Sequence, residues 1–430
     1  MTSNKSDLYS LVNARLVEIG IWPIRVLQII GLFPLKVTNR RIYPTKIFTL
    51  EFNWTIVVVS LKLAFDYYFF ANLSQYNSVG NLKRPTEIFA NSGFAISVSL
   101  SSTLVRLFFL LKSGHFIANW TKYCQNISII SEYLNSSACK GGKYDSFFEQ
   151  LRAENRKCCI IIFGICLYMT AAITARLFLG EQDIVVWTNP FSVLLLYASL
   201  IFWLSTTYLH GAVAILINYC IKILVAYLSA ITEELQAAIK LVLANPNTIE
   251  VDIEFSKEQE LVRSSQKIED CLKAFLLIDE LSAGSNFLGA AGLGIIQDTL
   301  TASVSVLLYT FLNFNWFVSG MWVMVGGSFT IMAIFSSRLY FYSENANNFD
   351  EGVKDVLHQL VCISNGCANL GSGVIFKIEL LTTKLALDPP AVFPGFWQLY
   401  CPTCSLWCNL DKLTVSTEGC LLVHVSTNFS

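Results

Sequence analysis

Two ionisable side chains four residues apart, Lys62 and Asp66, fall inside a long apolar run. At that spacing they share a helix face and can pair with each other. A charge inside such a run is costly. It marks either a ligand or ion-path contact or a self-neutralised pair held against a neighbouring helix. Gln297 and Asp298 lie near the middle of another apolar run. Asp298 has no evident partner along the chain, and a water-filled cavity is the environment it would need. Arg106 and Arg338 lie near the ends of their runs, where snorkelling toward the headgroups accounts for them. Arg176 sits near the opposite end of its run, and snorkelling or a ligand contact would explain it.

No catalytic constellation accompanies these residues. The chain has no Gly-x-x-x-x-Gly-Lys-Ser/Thr, no His-Glu-x-x-His and no Gly-x-Ser-x-Gly. Its four histidines, His115, His210, His358 and His424, are scattered over separate segments, so no base cluster is expected. Cys401-Pro-Thr-Cys404 with Cys408 resembles half a zinc site, and His424 would be the fourth ligand. The second half of such a site is missing, so no metal is expected. The expectation is that the chain is not an enzyme and needs no cofactor. Its net charge of −1 gives no reason to expect nucleic acid as a partner.

The elements that position these residues are membrane spans. The chain is 54% apolar and only 14% charged, where soluble domains carry about 25% charged residues. Runs at 52–73, 88–111, 158–179, 190–217, 287–312 and 317–342 each approach the roughly 20 apolar residues that cross a bilayer. The expected fold is all-α: a polytopic bundle of six clear transmembrane helices with helical extensions outside the membrane. Seven basic residues, from Lys5 to Lys46, precede the first run, whereas 180–189 holds none. The bias places the N-terminus in the cytoplasm. No signal peptide is evident in Met1–Gly20, so the first span is expected to act as its own insertion signal.

Outside the spans the chain divides into a lead-in at 1–51, the bundle at 52–342, an anchor and approach at 343–399, and a tail at 400–430. Pro23–Ile30 predicts a short interfacial helix, ended by Gly31 and Pro34. The apolar period of the fourth run continues through Ile221, Leu224, Leu228, Ile231, Leu235, Ala238 and Val242 and predicts one helix of about 50 residues. Within the loop 218–286, a second amphipathic stretch carries Leu261, Ile268, Leu272, Phe275, Leu276 and Leu281. A third, at 344–369, carries Val353, Val356, Leu357, Leu360 and Val361. Asn72 is the glycosylation candidate on the outer side, while Asn119, Asn126 and Asn135 fall in an inner loop. The thirteen cysteines avoid the outer loops, so no structural disulfide is expected.

Aromatic residues crowd the outer half of the bundle. Tyr168, Tyr197, Tyr309 and Trp322 are candidates to line a pocket for an uncharged small molecule, with an interfacial belt or simple packing as the other reading.

Three stretches resemble the insect gustatory receptor family, within the arthropod chemoreceptors. They are Val26–Pro34, Tyr342–Glu351, and Phe376 onward through Gly395–Leu399. The family's signature, a Thr-Tyr pair followed by Gln-Phe within a seventh span, does not occur here. The resemblance implies a ligand-gated cation channel, a homo- or hetero-tetramer of related subunits in the plasma membrane, detecting a small-molecule tastant. Span seven would line its pore. Residues 400–430 are too polar and broken to cross a bilayer, with Asp411, Lys412 and Glu418 interrupting them. On this reading the chain has a divergent or truncated end, produced by an altered reading of its final exons, and is impaired as a channel alone. A seven-span G-protein-coupled receptor and a secondary transporter are the alternatives.

Overall fold

The computed structural model describes residues 2–31, 34–38, 41–45, 48–71, 85–134, 142–179, 190–243, 254–283, 317–318, 322–366, 372–387 and 390. Their elements are α1 (Thr2–Ile29), β1 (Leu35–Thr38), β2 (Arg41–Pro44), α2 (Leu50–Ala71), α3 (Pro85–Tyr133), α4 (Gly142–Leu179), α5 (Pro190–Leu243), α6 (Glu254–Ala283), α7 (Trp322–Gly366) and α8 (Ser372–Leu387). The run 287–312, the tail 400–430 and the sequon at Asn72 lie outside the described residues.

The lead-in is a long helix, not the short one expected at Pro23–Ile30, and Pro23 lies inside α1. A proline offers no N–H to the carbonyl four residues back, here Ile19. Asn155 Nδ2 of α4 donates to that carbonyl at 3.2 Å and fills the gap. Gly31 ends the helix in the left-handed region at φ +68°, a C-terminal conformation glycine adopts without steric cost. A Cβ on Gly31 would lie 2.7 Å from the Val58 side chain, so the close approach of α2 also demands glycine. A two-stranded antiparallel hairpin then pairs Leu35 with Pro44 and Val37 with Ile42. No strand was expected there. Four-residue strands leave too short a pattern to stand out; burial of Leu35 in the core, with Val37 and Ile42 packed against it, secures them.

The first two spans lie where the apolar runs put them. α3 continues past its span, and its backbone leaves helical geometry at Lys112 (φ −113°, ψ 18°), at the expected end of the run. The pair α2–α3 is inside out. On α2 the buried positions are Thr55, Val59, Lys62 and Asp66, while Ile56, Val57, Leu61, Leu63, Tyr67 and Phe70 are exposed. On α3, Ser102, Thr103 and Arg106 are buried, while Ile96, Leu100, Leu104 and Leu111 are exposed. Water would reverse that arrangement, and a hydrocarbon solvent favours it.

Beyond the spans the helices gather into a second layer. The α5 segment Ala214–Lys240 is long and apolar enough to cross a membrane, with a mean hydropathy of 2.0, yet 72% of its apolar window is buried inside the protein. It is enclosed by neighbouring helices and has no lipid-facing stripe. This is the expected extension of the fourth span, with Ile221, Leu224, Leu228, Ile231, Leu235 and Ala238 in the core. α6 adds Ile268, Leu272 and Phe275, and α7 adds Phe349, Val353, Val356, Leu360 and Ile363 at spacings of three and four. Leu276 and Val361, read as core positions, are exposed instead. They fall at the edge of stripes whose centres are Phe275 and Leu360, where a shift of one residue turns a side chain about 100°.

Ion pairs stitch the rim of this layer. Lys267 of α6 meets Glu234 of α5 at 2.9 Å, and Lys122 of α3 meets Glu280 of α6 at 2.8 Å. Lys377 of α8 meets Glu269 at 2.6 Å, and Lys377 with Lys273 holds that carboxyl below its ordinary range. Such exposed pairs contribute little each, because solvent screens them. They fix which helices neighbour one another more than they stabilise the layer.

Candidate functional site

α2 and α3 face each other through side chains one helical turn apart, and that facing row is polar. Lys62 and Asp66 are 2% and 6% exposed, so neither reaches water. Lys62 Nζ donates to Asp66 Oδ1, to Ser99 Oγ at 2.8 Å and to Thr103 Oγ1 at 3.3 Å. The hydroxyl of Ser99 donates to Asp66 Oδ1, and that of Thr103 to Oδ2. Both carboxylate oxygens are therefore occupied, and the ammonium has four acceptors, the Ser99 carbonyl at 3.4 Å being the fourth. A buried ion pair needs such completion, because its own attraction barely offsets desolvation.

The expected pairing of Lys62 with Asp66 is thus present, built as a four-residue network across two helices. Sequence reasoning missed Ser99 and Thr103. The signal was available: Ser99, Ser102, Thr103 and Arg106 recur at spacings of three and four along span two, one face of a helix.

Arg106 corrects the snorkelling reading. Its side chain does not reach outward; the residue is 0% exposed. Nη1 donates to the Ile30 carbonyl at 2.6 Å, at the C-terminal end of α1, where a cation also meets the negative end of the helix dipole. Trp54 Nε1 of α2 donates to the adjacent Ile29 carbonyl at 2.9 Å. The last carbonyls of α1 are therefore capped by side chains from both spans. Asp66 also acts electrostatically on Arg106, and Arg106 on Lys62. Two cations and one anion share this end of the bundle. The side chains of Arg176 and Arg338 lie outside the described residues.

Of the four aromatic candidates, Tyr168 is on α4 and 62% exposed. Tyr197 lies in α5 and Trp322 opens α7, but their side chains, like Tyr309 and Asp298, are outside the described residues. The described geometry joins none of the four to another.

Aromatic packing continues from the spans into the second layer. Phe109 meets Phe116 edge-on at 6.0 Å, Phe116 stacks on Trp120 at 6.4 Å, and Trp120 reaches Tyr219 of α5 at 6.4 Å. Tyr219 donates to the Leu16 carbonyl at 3.2 Å, and Tyr123 to the Cys220 carbonyl at 3.0 Å. Burial pushes both phenols well above their ordinary range. It pushes Cys124 up as well, and Cys271 up to about 12. These thiols pack as small hydrophobes and are poor nucleophiles. Asn126, one of the inner sequons, is buried in α3, beyond reach of a glycosylating enzyme in the folded chain.

No family model matches the chain, and no curated protein matches it in sequence. Its fold is similar to that of a solved insect olfactory receptor from Machilis hrabei. The TM-score is 0.58 at 12% identity, over 92% of this chain and 94% of that one. The fold class is therefore that of an all-α helical membrane bundle.

Proposed function

We propose that this chain is a chemosensory receptor subunit of the ligand-gated cation-channel type, of the gustatory kind, which detects a small-molecule tastant at the plasma membrane. One observation carries the reading. The likeness to an insect olfactory receptor spans 92% of the chain, so it includes the layer outside the membrane as well as the spans. An inside-out helix pair fits a helical membrane protein, in which every backbone polar group is satisfied within the span.

The proposed orientation puts the N-terminus and the second layer in the cytoplasm, from the basic bias of the lead-in. The proposed ligand contacts are Tyr168, Tyr197, Tyr309 and Trp322, and the proposed assembly is a tetramer with related subunits. Residues 400–430 hold no apolar run able to span.

The test is whole-cell recording with and without an intact related receptor subunit. Co-expression should reduce the partner's current or shift its dose response, and alanine at any of the four aromatic positions should change that shift. A partner response unchanged by co-expression, with no co-purification of the two chains, would refute the reading.

A further inference from the structure

One exposed patch joins the lead-in to the first span. On α1, Trp22, Arg25 and Ile29 recur at spacings of three and four, and all three are exposed. On α2, Leu50 and Trp54 begin an outward row that continues through Val57 and Leu61. The two rows meet where Trp54 Nε1 donates to the Ile29 carbonyl. Phe48 and Leu50 protrude beside this junction, 87% and 83% exposed.

Phe48 sharpens the observation. Among the described residues it is the one non-glycine with positive φ, at 81°. A bulky side chain rarely occupies that region without compensation. Here the strained backbone turns an aromatic ring outward, which is a loss in water and a gain in a lipid interface.

The exposed charges described on this patch are basic. Among described side chains from Asn13 to Val57, Arg25 and Lys36 are the exposed charges, while Arg15, Glu18 and Glu51 are half-buried. Arg156 of α4 lies over the Trp22 ring at 5.5 Å, and Lys157 beside it is exposed. Aromatic and aliphatic side chains interleaved with exposed cations suit one occupant, the interface of a leaflet carrying anionic phospholipid.

We infer that this junction is a docking surface for anionic phospholipid headgroups, with Phe48, Leu50 and Ile29 entering the acyl boundary and Arg25 and Arg156 holding the phosphates. The inference rests on the membrane-bundle reading. The outward row of α2 makes the patch continuous with the span's lipid-facing surface, and so seats it at headgroup depth. It gives the lead-in a ligand of its own, apart from any tastant.

Photocrosslinking the full chain in nanodiscs tests it. Phe48→p-benzoylphenylalanine is compared with the same replacement at Leu61, on the outward face of the span, and at Glu351, exposed on α7. The discs hold phosphatidylcholine with a minority of phosphatidylserine, and adducts are identified by mass spectrometry. Lipid adducts are expected at positions 48 and 61 and not at 351. Phosphatidylserine should be enriched at position 48 over its share in the disc, by about fivefold for each basic side chain in reach. Arg25→Gln with Arg156→Gln should return the ratio to that share. Adducts at 61 without adducts at 48 overturn the docking surface and leave the membrane-bundle reading standing. Adducts at neither position overturn both. Adducts at 48 with no enrichment of phosphatidylserine overturn the anionic specificity.

Discussion

Removing one partner from the Lys62–Asp66 network should be far worse than removing both. In Lys62→Leu the Asp66 carboxylate keeps the hydroxyls of Ser99 and Thr103 but loses its only counter-charge within the hydrogen-bonded cluster. Breaking a buried pair from one side costs about 3–5 kcal/mol. An independent ceiling agrees. A carboxylate in that position can shed its charge by taking a proton, which at pH 7 costs a free carboxylic acid about 4 kcal/mol. Asp66→Leu leaves an ammonium between two hydroxyls and should cost a similar amount. The double variant Lys62→Leu/Asp66→Leu removes both charges. It should return to near the parent's stability, because replacing a buried pair by apolar groups is often neutral or stabilising. Thermal unfolding in detergent, followed by size-exclusion fluorescence, reads the series. Each single variant should fall on the order of 10 °C, and the double should recover most of that loss. Two results would refute the reasoning: a single variant as stable as the parent, or a double variant as unstable as the singles. Either would mean that the two charges do not share a closed, dry site.

The remaining predictions concern the lead-in and the second layer. Gly31→Ala should cost at least ~1–2 kcal/mol for the left-handed backbone, with a further penalty from the overlap at Val58. Val58→Ala in the same chain should restore part of the loss, measured by the same thermal assay. Asn155→Ala leaves the Ile19 carbonyl above Pro23 without its donor and should destabilise by about 1–3 kcal/mol. Tyr219→Phe, which removes a donor from the neighbouring Leu16 carbonyl, should show the lower end of that range. Among the thiols, exposed Cys362 should react with maleimide in the native protein at neutral pH. Cys271, buried with its thiol pushed up to about 12, should react only after denaturation, as peptide mapping of the labelled chain would show.

The parts of the fold that the sequence carried plainly are those whose pattern is one-dimensional. The apolar length of 52–73 and 88–111 gave α2 and the first part of α3, and the period from Ile221 to Ala238 gave the extension of α5. The Lys62–Asp66 pair followed from spacing alone. What stayed hidden required a second element. That Arg106 turns inward to the end of α1 depends on where α1 packs, and no property of span two reveals it. Pro23 reads as the start of a short helix, and its place inside a long one depends on Asn155 arriving from a distant helix to satisfy the carbonyl it strands. The hairpin at Leu35–Pro44 is too short to register against its flanks. The aromatic candidates illustrate the reverse limit. Tyr168, Tyr197, Tyr309 and Trp322 form a group by depth along their apolar runs, and depth does not fix which way a ring points.

These hidden contacts converge on one place. The carbonyls of Ile29 and Ile30 are held by Trp54 from α2 and by Arg106 from α3, and Gly31 lets α2 approach within side-chain contact. Farther into the span, one turn beyond Arg106 on α3 and about three turns beyond Trp54 on α2, Thr103 and Asp66 lock the same two helices together. A shift of α2 against α3 would therefore have to break a buried charge network and uncap α1 in the same motion. α1 in turn is tied to α4 through Asn155 and to α5 through Tyr219, and α5 runs from a span into the centre of the second layer. Because packed interiors hold discrete arrangements and do not deform smoothly, the first two spans are better suited to act as a fixed frame than as a moving part.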